Sequence, residues 1–126
     1  MNYTIKVDST KELIVYTHCG LASRKSVGEA WLEILNLPEI KDDKYNIFTD
    51  YRNCKFDFGW SDSDVIMDFL SKYKKILSEK KQAIVLDNPV STAISMLFQS
   101  PLHETINFKI RVFSTIEAAM LWLETD

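Results

Sequence analysis

The chain predicts an α/β fold: a mixed sheet of about five strands with about four helices, in the order ββαβαβαβα. Three observations carry this. Tyr3, Ile5 and Val7, and later Ile106, Phe108, Ile110 and Val112, alternate with polar residues, the period of half-buried strands. Between such stretches apolar residues recur at helical spacing, first at Val27, Ala30, Trp31, Ile34 and Leu35. Strands that alternate with helices require parallel neighbours joined by crossovers, which are almost always right-handed.

The first two strands read as an antiparallel hairpin. Residues 2–7 alternate, Asp8-Ser9-Thr10-Lys11 supplies turn chemistry, and 13–18 resumes the apolar pattern. Ser23 or Ser26 caps the first helix, with Ser26 and Glu29 at capping-box spacing, and Pro38 closes it. Residues 45–50 form the third strand. Ser61 and Asp64 repeat the capping-box spacing ahead of a helix that runs to about Ser78, with Val65, Ile66, Phe69, Leu70, Tyr73, Ile76 and Leu77 on its buried stripe. Asp62 and Asp64 at its start and Lys72, Lys74 and Lys75 later suit the helix dipole.

Ala83-Ile84-Val85-Leu86 is a continuous apolar run, as in an interior strand. Asn88-Pro89 reads as a cap plus the first helical residue, and Val90, Ala93, Ile94, Leu97 and Phe98 follow at helical spacing until Pro101. The alternating 106–113 stretch has one wet face and belongs at a sheet edge. Ser114-Thr115-Ile116-Glu117 caps the last helix, which docks through Ala119, Trp122 and Leu123.

With 126 residues, 46% hydrophobic and 26% charged, the chain fits one domain, 1–126, large enough for a real core. A net charge of −3 with no basic arm argues against a nucleic-acid binder, which must neutralise phosphates. No apolar stretch approaches the ~20 residues that cross a bilayer, and the start lacks the apolar core of a signal peptide. The expectation is a cytoplasmic protein that is not membrane-embedded. Cys19 and Cys54 match neither metal-finger nor redox spacing, which fits free thiols. Walker loop, dinucleotide glycines, nucleophile elbow and HExxH helix are all absent, and neither metal nor cofactor is expected.

The ending RVFSTIEAAMLWL, a strand, a capped turn and an Ala-rich helix closing on Trp-Leu, resembles the STAS-like, or SpoIIAA-like, domains. YNIFTDYR before a helix, GLASRKSVGEAWLEIL after a hairpin and KKQAIVLDN sit where that family has them, and the resemblance spans nearly the whole length. It implies a βα superhelix. It also implies a non-enzymatic regulatory or protein-interaction role, because related domains serve as anti-sigma factor antagonists and as modules of transporters and sensors. In the antagonists a serine that starts the helix after the third strand is phosphorylated, and Ser61 and Ser63 match that location. The family's compact Asp-Ser-Ser/Thr-Gly run is missing from FGWSDSDV, and a phosphate there would meet Asp62 and Asp64, which disfavours a switch.

Residues 50–63 are the candidate site. Asp50 and Arg52 come at the carboxyl end of a strand, where open α/β sheets bind ligands, although ion pairs at element ends are also a common structural device. Phe56, Phe58 and Trp60 alternate in a loop of about ten residues, so in extended backbone all three point one way. They form either a lid over the core or a surface for a partner or apolar ligand. The expected occupant is a protein partner, a second copy of the chain included, or else a small apolar or lipid-like ligand. His18, Cys19 and Cys54 follow successive strands, yet metal or thiol chemistry needs further ligands or a base, so a buried thiol and a surface imidazole are expected. Lys72, Lys74, Lys75, Lys80 and Lys81 read as a solvated helix end.

Overall fold

Five strands lie side by side in the order in which the chain makes them, β1-β2-β3-β4-β5. The computed structural model describes residues 2–57, 59, 62–96 and 99–125, with backbone alone at 63, 90, 91, 94, 99 and 100. β1 (Tyr3–Asp8) and β2 (Leu13–Ala22) form the expected antiparallel hairpin. Its turn is held by the Asp8 carboxylate, which accepts from the Thr10 and Lys11 amides, and Glu12 takes φ 54 to lead into β2.

β3 (Asn46–Phe56), β4 (Lys81–Val85) and β5 (Lys109–Phe113) then add one after another in parallel. Each addition needs a crossover. The first is α1 (Arg24–Leu35) with a short 3-10 turn (Pro38–Lys41). The second is α2 (Ser63–Ser71) with α3 (Lys74–Leu77), and the third is α4 (Pro89–Met96) with α5 (Gln99–Ile106). α6 (Ile116–Leu123) follows β5.

One of the expected helices is therefore divided, and helix is found beyond the expected end of another. The 61–78 helix breaks at Lys72-Tyr73, where Tyr73 leaves helical geometry with φ −107 and ψ 27. The helix expected to run until Pro101 is described as far as Met96, and α5 carries the chain past Pro101, which sits in its first turn where the missing N–H does no harm. The alternation that begins at Ile106 also has a different origin. Asn107 ends α5 with a left-handed φ of 56, and the Asn107 and Phe108 amides donate to the His103 and Leu102 carbonyls. Ile106 and Phe108 thus reach the core from a helix end and its turn, and strand begins at Lys109, at the sheet edge as expected.

Caps differ in detail. Ser23 is the N-cap of α1: its hydroxyl accepts from the Ser26 amide while Ser26 Oγ accepts from the Ser23 amide, so Glu29 takes no part. α2 begins at Ser63 behind Asp62, one residue later than a Ser61 cap implies. Thr115 caps α6, accepting from the Ala118 amide.

The crossovers share one face of the sheet. There α1 presents Val27, Ala30, Trp31, Ile34 and Leu35, joined by Leu70, Leu77, Leu102 and Ile106 from the later helices, against Ile14, Tyr16, Ile47, Ile84 and Ile110. On the other face Ala119 and Leu123 of α6 pack on Leu13, Phe48, Ala83 and Val85.

Lys80 and Lys81 are buried, not part of a solvated helix end. Lys80 Nζ donates to the Asp42 and Tyr45 carbonyls, each at 2.7 Å. Lys81 Nζ donates to the Trp122 and Thr125 carbonyls and to the Thr125 hydroxyl beyond α6. Both stand where β4 begins, and each ammonium finds carbonyl acceptors there, of which those of Asp42 and Trp122 also accept from the Tyr45 and Thr125 amides.

Candidate functional site

A bulge in β3 divides the candidate site. The strand runs on to Phe56 instead of stopping at Asp50, so most of the expected loop is strand. Against β2 the pairing moves from Thr17–Asp50 to Cys19–Asn53, an advance of two positions on β2 and three on β3. The extra residue inverts the alternation. Ile47 and Tyr51 face the α1 side before it, and Cys54 and Phe56 face the same side after it. Phe48 faces α6, and Asp50 follows it at period two.

Asp50 and Arg52 are tied to each other. The guanidinium donates through Nε to Asp50 Oδ1 at 3.0 Å and through its terminal nitrogen to Oδ2 at 2.8 Å, and the Arg52 amide adds a third bond at 3.1 Å. These bonds hold the Asp50 carboxyl below the usual carboxylate range and raise Arg52. Arg52 also lines an open hollow of about 390 Å³ at the strand ends, with Asn53, Lys55, Asp87 and Asn88 among its walls. Phe56 is half-buried and meets Tyr51 edge-to-face at 5.2 Å. Phe58, Trp60 and Ser61 lie outside the described residues, as does the side chain of Ser63, the first residue of α2.

On the Phe56 side of the sheet lies an apolar cavity of about 60 Å³. Val27, Trp31, Ile66, Leu70, Tyr51, Phe56, Ile84 and Ile110 line it, with Gln82 and Ser95 as further polar members. A groove of about 190 Å³ runs between α1 and α2, lined by Arg24, Val27, Gly28, Trp31, Val65, Ile66, Phe69 and Leu70. Val27, Trp31, Ile66 and Leu70 line both, so cavity and groove adjoin. The groove also explains why the α2 stripe is incompletely covered: Leu70 is buried, Ile66 and Phe69 are half-buried, and Val65 is exposed.

Gly28, in the middle of α1, faces open space, since a Cβ built there would meet nothing within 4 Å. At the mouth, an Arg24 terminal nitrogen lies 3.0 Å from Asp62 Oδ1, linking the first residue of α1 to the N-cap of α2. Asp62 Oδ2 also accepts from the Gly59 amide at 3.2 Å. None of the residues that line the groove belongs to the 50–63 candidate; Asp62 and Gly59, at its mouth, do. The one signal in the sequence was a glycine inside a helical stripe.

A buried polar chain adjoins the cavity. Tyr51, one of its walls, hydrogen-bonds Tyr16. The Tyr16 hydroxyl in turn lies 2.6 Å from His18 Nδ1, and His18 Nε2 lies 3.5 Å from Ser26 Oγ in the α1 cap. Burial lowers the His18 pKa, which keeps the imidazole neutral; both of its partners are hydroxyls, which donate or accept according to the tautomer. Burial pushes Tyr16 and Tyr51 up. His18 is therefore not a surface imidazole: β2 continues through it, and period two carries it inward beside Tyr16. Cys54 is buried, its thiol pushed up to about 11, and Cys19 is exposed. Among the described residues no cluster of His, Cys, Asp and Glu could hold a metal ion, and no helix is long and apolar enough to cross a membrane.

No protein-family model matches the chain, and no curated protein matches it. A solved structure does. The crystal structure of an uncharacterised protein of the DUF3478 family with a SpoIIAA-like fold, from Shewanella loihica PV-4, matches 97% of this chain and 94% of its own, with 12% sequence identity and a TM-score of 0.63. This chain therefore has a SpoIIAA-like fold, and the expected βα superhelix is the one that the parallel crossovers form.

Proposed function

We propose that this SpoIIAA-like domain is a non-catalytic binding module that takes up a small apolar or lipid-like molecule in the groove between α1 and α2. The observation that carries this is the groove itself, about 190 Å³ with mostly apolar walls, beside a second cavity that four of the same side chains line. Small-molecule sites are typically concave and apolar with a few polar groups that orient the ligand. Gln82 and Ser95 are such groups in the inner cavity, and Gln82 is itself fixed by a bond to Thr49 Oγ1 at 2.9 Å.

Gly28 supports the same reading. A glycine inside a helix costs about 0.5–1 kcal/mol relative to alanine, and no neighbour crowds this one. What a larger residue would remove is the open groove. Three groups that could do covalent chemistry are otherwise engaged: Ser26 closes the α1 cap, His18 bonds Tyr16, and burial keeps the Cys54 thiol protonated, while Cys19 is exposed. Two free cysteines suit a reducing, cytoplasmic setting.

Titration with 1-octanol, followed by tryptophan fluorescence because Trp31 lines the groove, tests the proposal. The native protein should saturate. Gly28→Leu should melt at the same or a higher temperature and lose the saturable signal. Undiminished binding by Gly28→Leu would reject the groove as the site.

A second reading, a regulatory or protein-interaction surface at the strand ends, is favoured by the exposed Arg52, Asn53 and Lys55 beside Asp87 and Asn88. Reversing the charges of Arg52 and Lys55 should then abolish capture of a protein partner while octanol binding persists.

A further inference from the structure

We propose that the ligand of this groove is an anionic amphiphile, a small monocarboxylic acid whose carboxylate Arg24 takes in exchange for Asp62. The inference rests on the groove reading above and adds the chemistry of the head group. Arg24 is the charged member of the described groove walls; Asp62, its partner, is not among those walls. The cation faces the groove, and the anion that neutralises it stands outside.

The pair is built to exchange. The Arg24 side chain is 54% exposed and that of Asp62 25% exposed. Exposed ion pairs of this kind are weak. Among the described residues one terminal nitrogen of Arg24 is engaged, so its other N–H donors are open to a second carboxylate, whose geometry a guanidinium fork matches. Asp62 keeps the Gly59 amide at its other oxygen when the guanidinium turns away. Asp62 already displays the kind of group that the mouth accepts.

The backbone points the same way. Arg24 is the first residue of the 12-residue helix α1, and Asp62 is the N-cap of the 9-residue helix α2. Two helix N-termini therefore flank the mouth, and their partial positive charge favours an anion over a cation. Size sets the rest. An apolar cavity of about 150 Å³ holds benzene. A groove of about 190 Å³ thus suits a body of that size or slightly larger, such as a medium-chain or aryl-alkyl acid.

Calorimetric titration with octanoate and 1-octanol, which share a tail and differ in the head, tests this near neutral pH and low salt. Native protein should bind octanoate about tenfold more tightly than octanol, the scale of a charge-assisted pair. Arg24→Gln should abolish that preference, and Asp62→Asn should tighten octanoate by removing its competitor. Equal binding of the two by native protein, or a preference that survives Arg24→Gln, would overturn the head-group assignment and leave the groove reading intact. If native protein binds neither compound, the groove reading falls and takes this inference with it.

Discussion

The Tyr16 hydroxyl sits 2.6 Å from His18 Nδ1, and both side chains, two residues apart on one face of β2, are buried at 0% and 1% exposure. A neutral imidazole suits that place and an imidazolium does not. Around it Tyr3 is pushed up to about 12, and Tyr16 and Tyr51 are also raised, so these neighbouring rings stay uncharged and offer no anion to pair with a proton.

A pH dependence follows from that pair. Burial lowers His18 from its ordinary 6.5. Below that value the unfolded chain binds a proton that the folded chain resists, so stability declines as pH falls from 6.5 through the folded pKa. One proton contributes a slope of at most about 1.4 kcal/mol per pH unit. Urea melts from about pH 7.5 to about pH 5 should show the native protein losing more stability than His18→Gln. Parallel losses would mean that His18 takes up no proton on unfolding.

The two tryptophans should separate in a denaturant melt. Trp31 is 6% exposed and edge-to-face with Phe108 at 6.1 Å. Trp122 is half-buried, beside Phe113 and under Lys81 Nζ at 5.1 Å from its ring centre. Trp31→Ala should cost about 3–5 kcal/mol. Trp122→Ala should cost about 1–3 kcal/mol, the cation–π contact included. Equal losses would contradict the unequal burial of the two helices.

Lys80 offers a test of a buried ammonium. Lys80→Met keeps most of the side-chain volume but takes the ammonium donor from the Tyr45 carbonyl and from that of Asp42, which keeps the Tyr45 amide. The expected cost in an unfolding titration is about 1–3 kcal/mol, with Lys80→Ala losing more because it also opens a void. A neutral Lys80→Met would show that water replaces the ammonium without penalty.

What the sequence disclosed was the period of its elements and the chemistry of their ends. β1, β2 and β5 alternate, Pro89 opens α4, and the apolar face of α1 is the one that is buried. Less legible were features that depend on neighbours. The β3 bulge is a mismatch with β2 and exists only in the pairing. Lys80 and Lys81 look like surface lysines until the carbonyls of Tyr45 and Trp122, far along the chain, come within reach. The groove escapes a linear reading for the same reason: α1 and α2 each show an ordinary apolar stripe, and only their separation leaves Gly28 facing space. Asp50 and Arg52 were recognisable as a pair, but the bulge divides them from Phe56.

The strands stand in space as they stand in the chain. For a polypeptide leaving the ribosome this means that each new strand finds its neighbour already made, and the sheet can grow without waiting for distant partners. The α6 face is the exception. Leu13, Phe48, Ala83 and Val85 wait for a helix at residues 116–123. Throughout elongation that half-clad sheet is the sticky side of the nascent chain, the side on which a chaperone would find its hold.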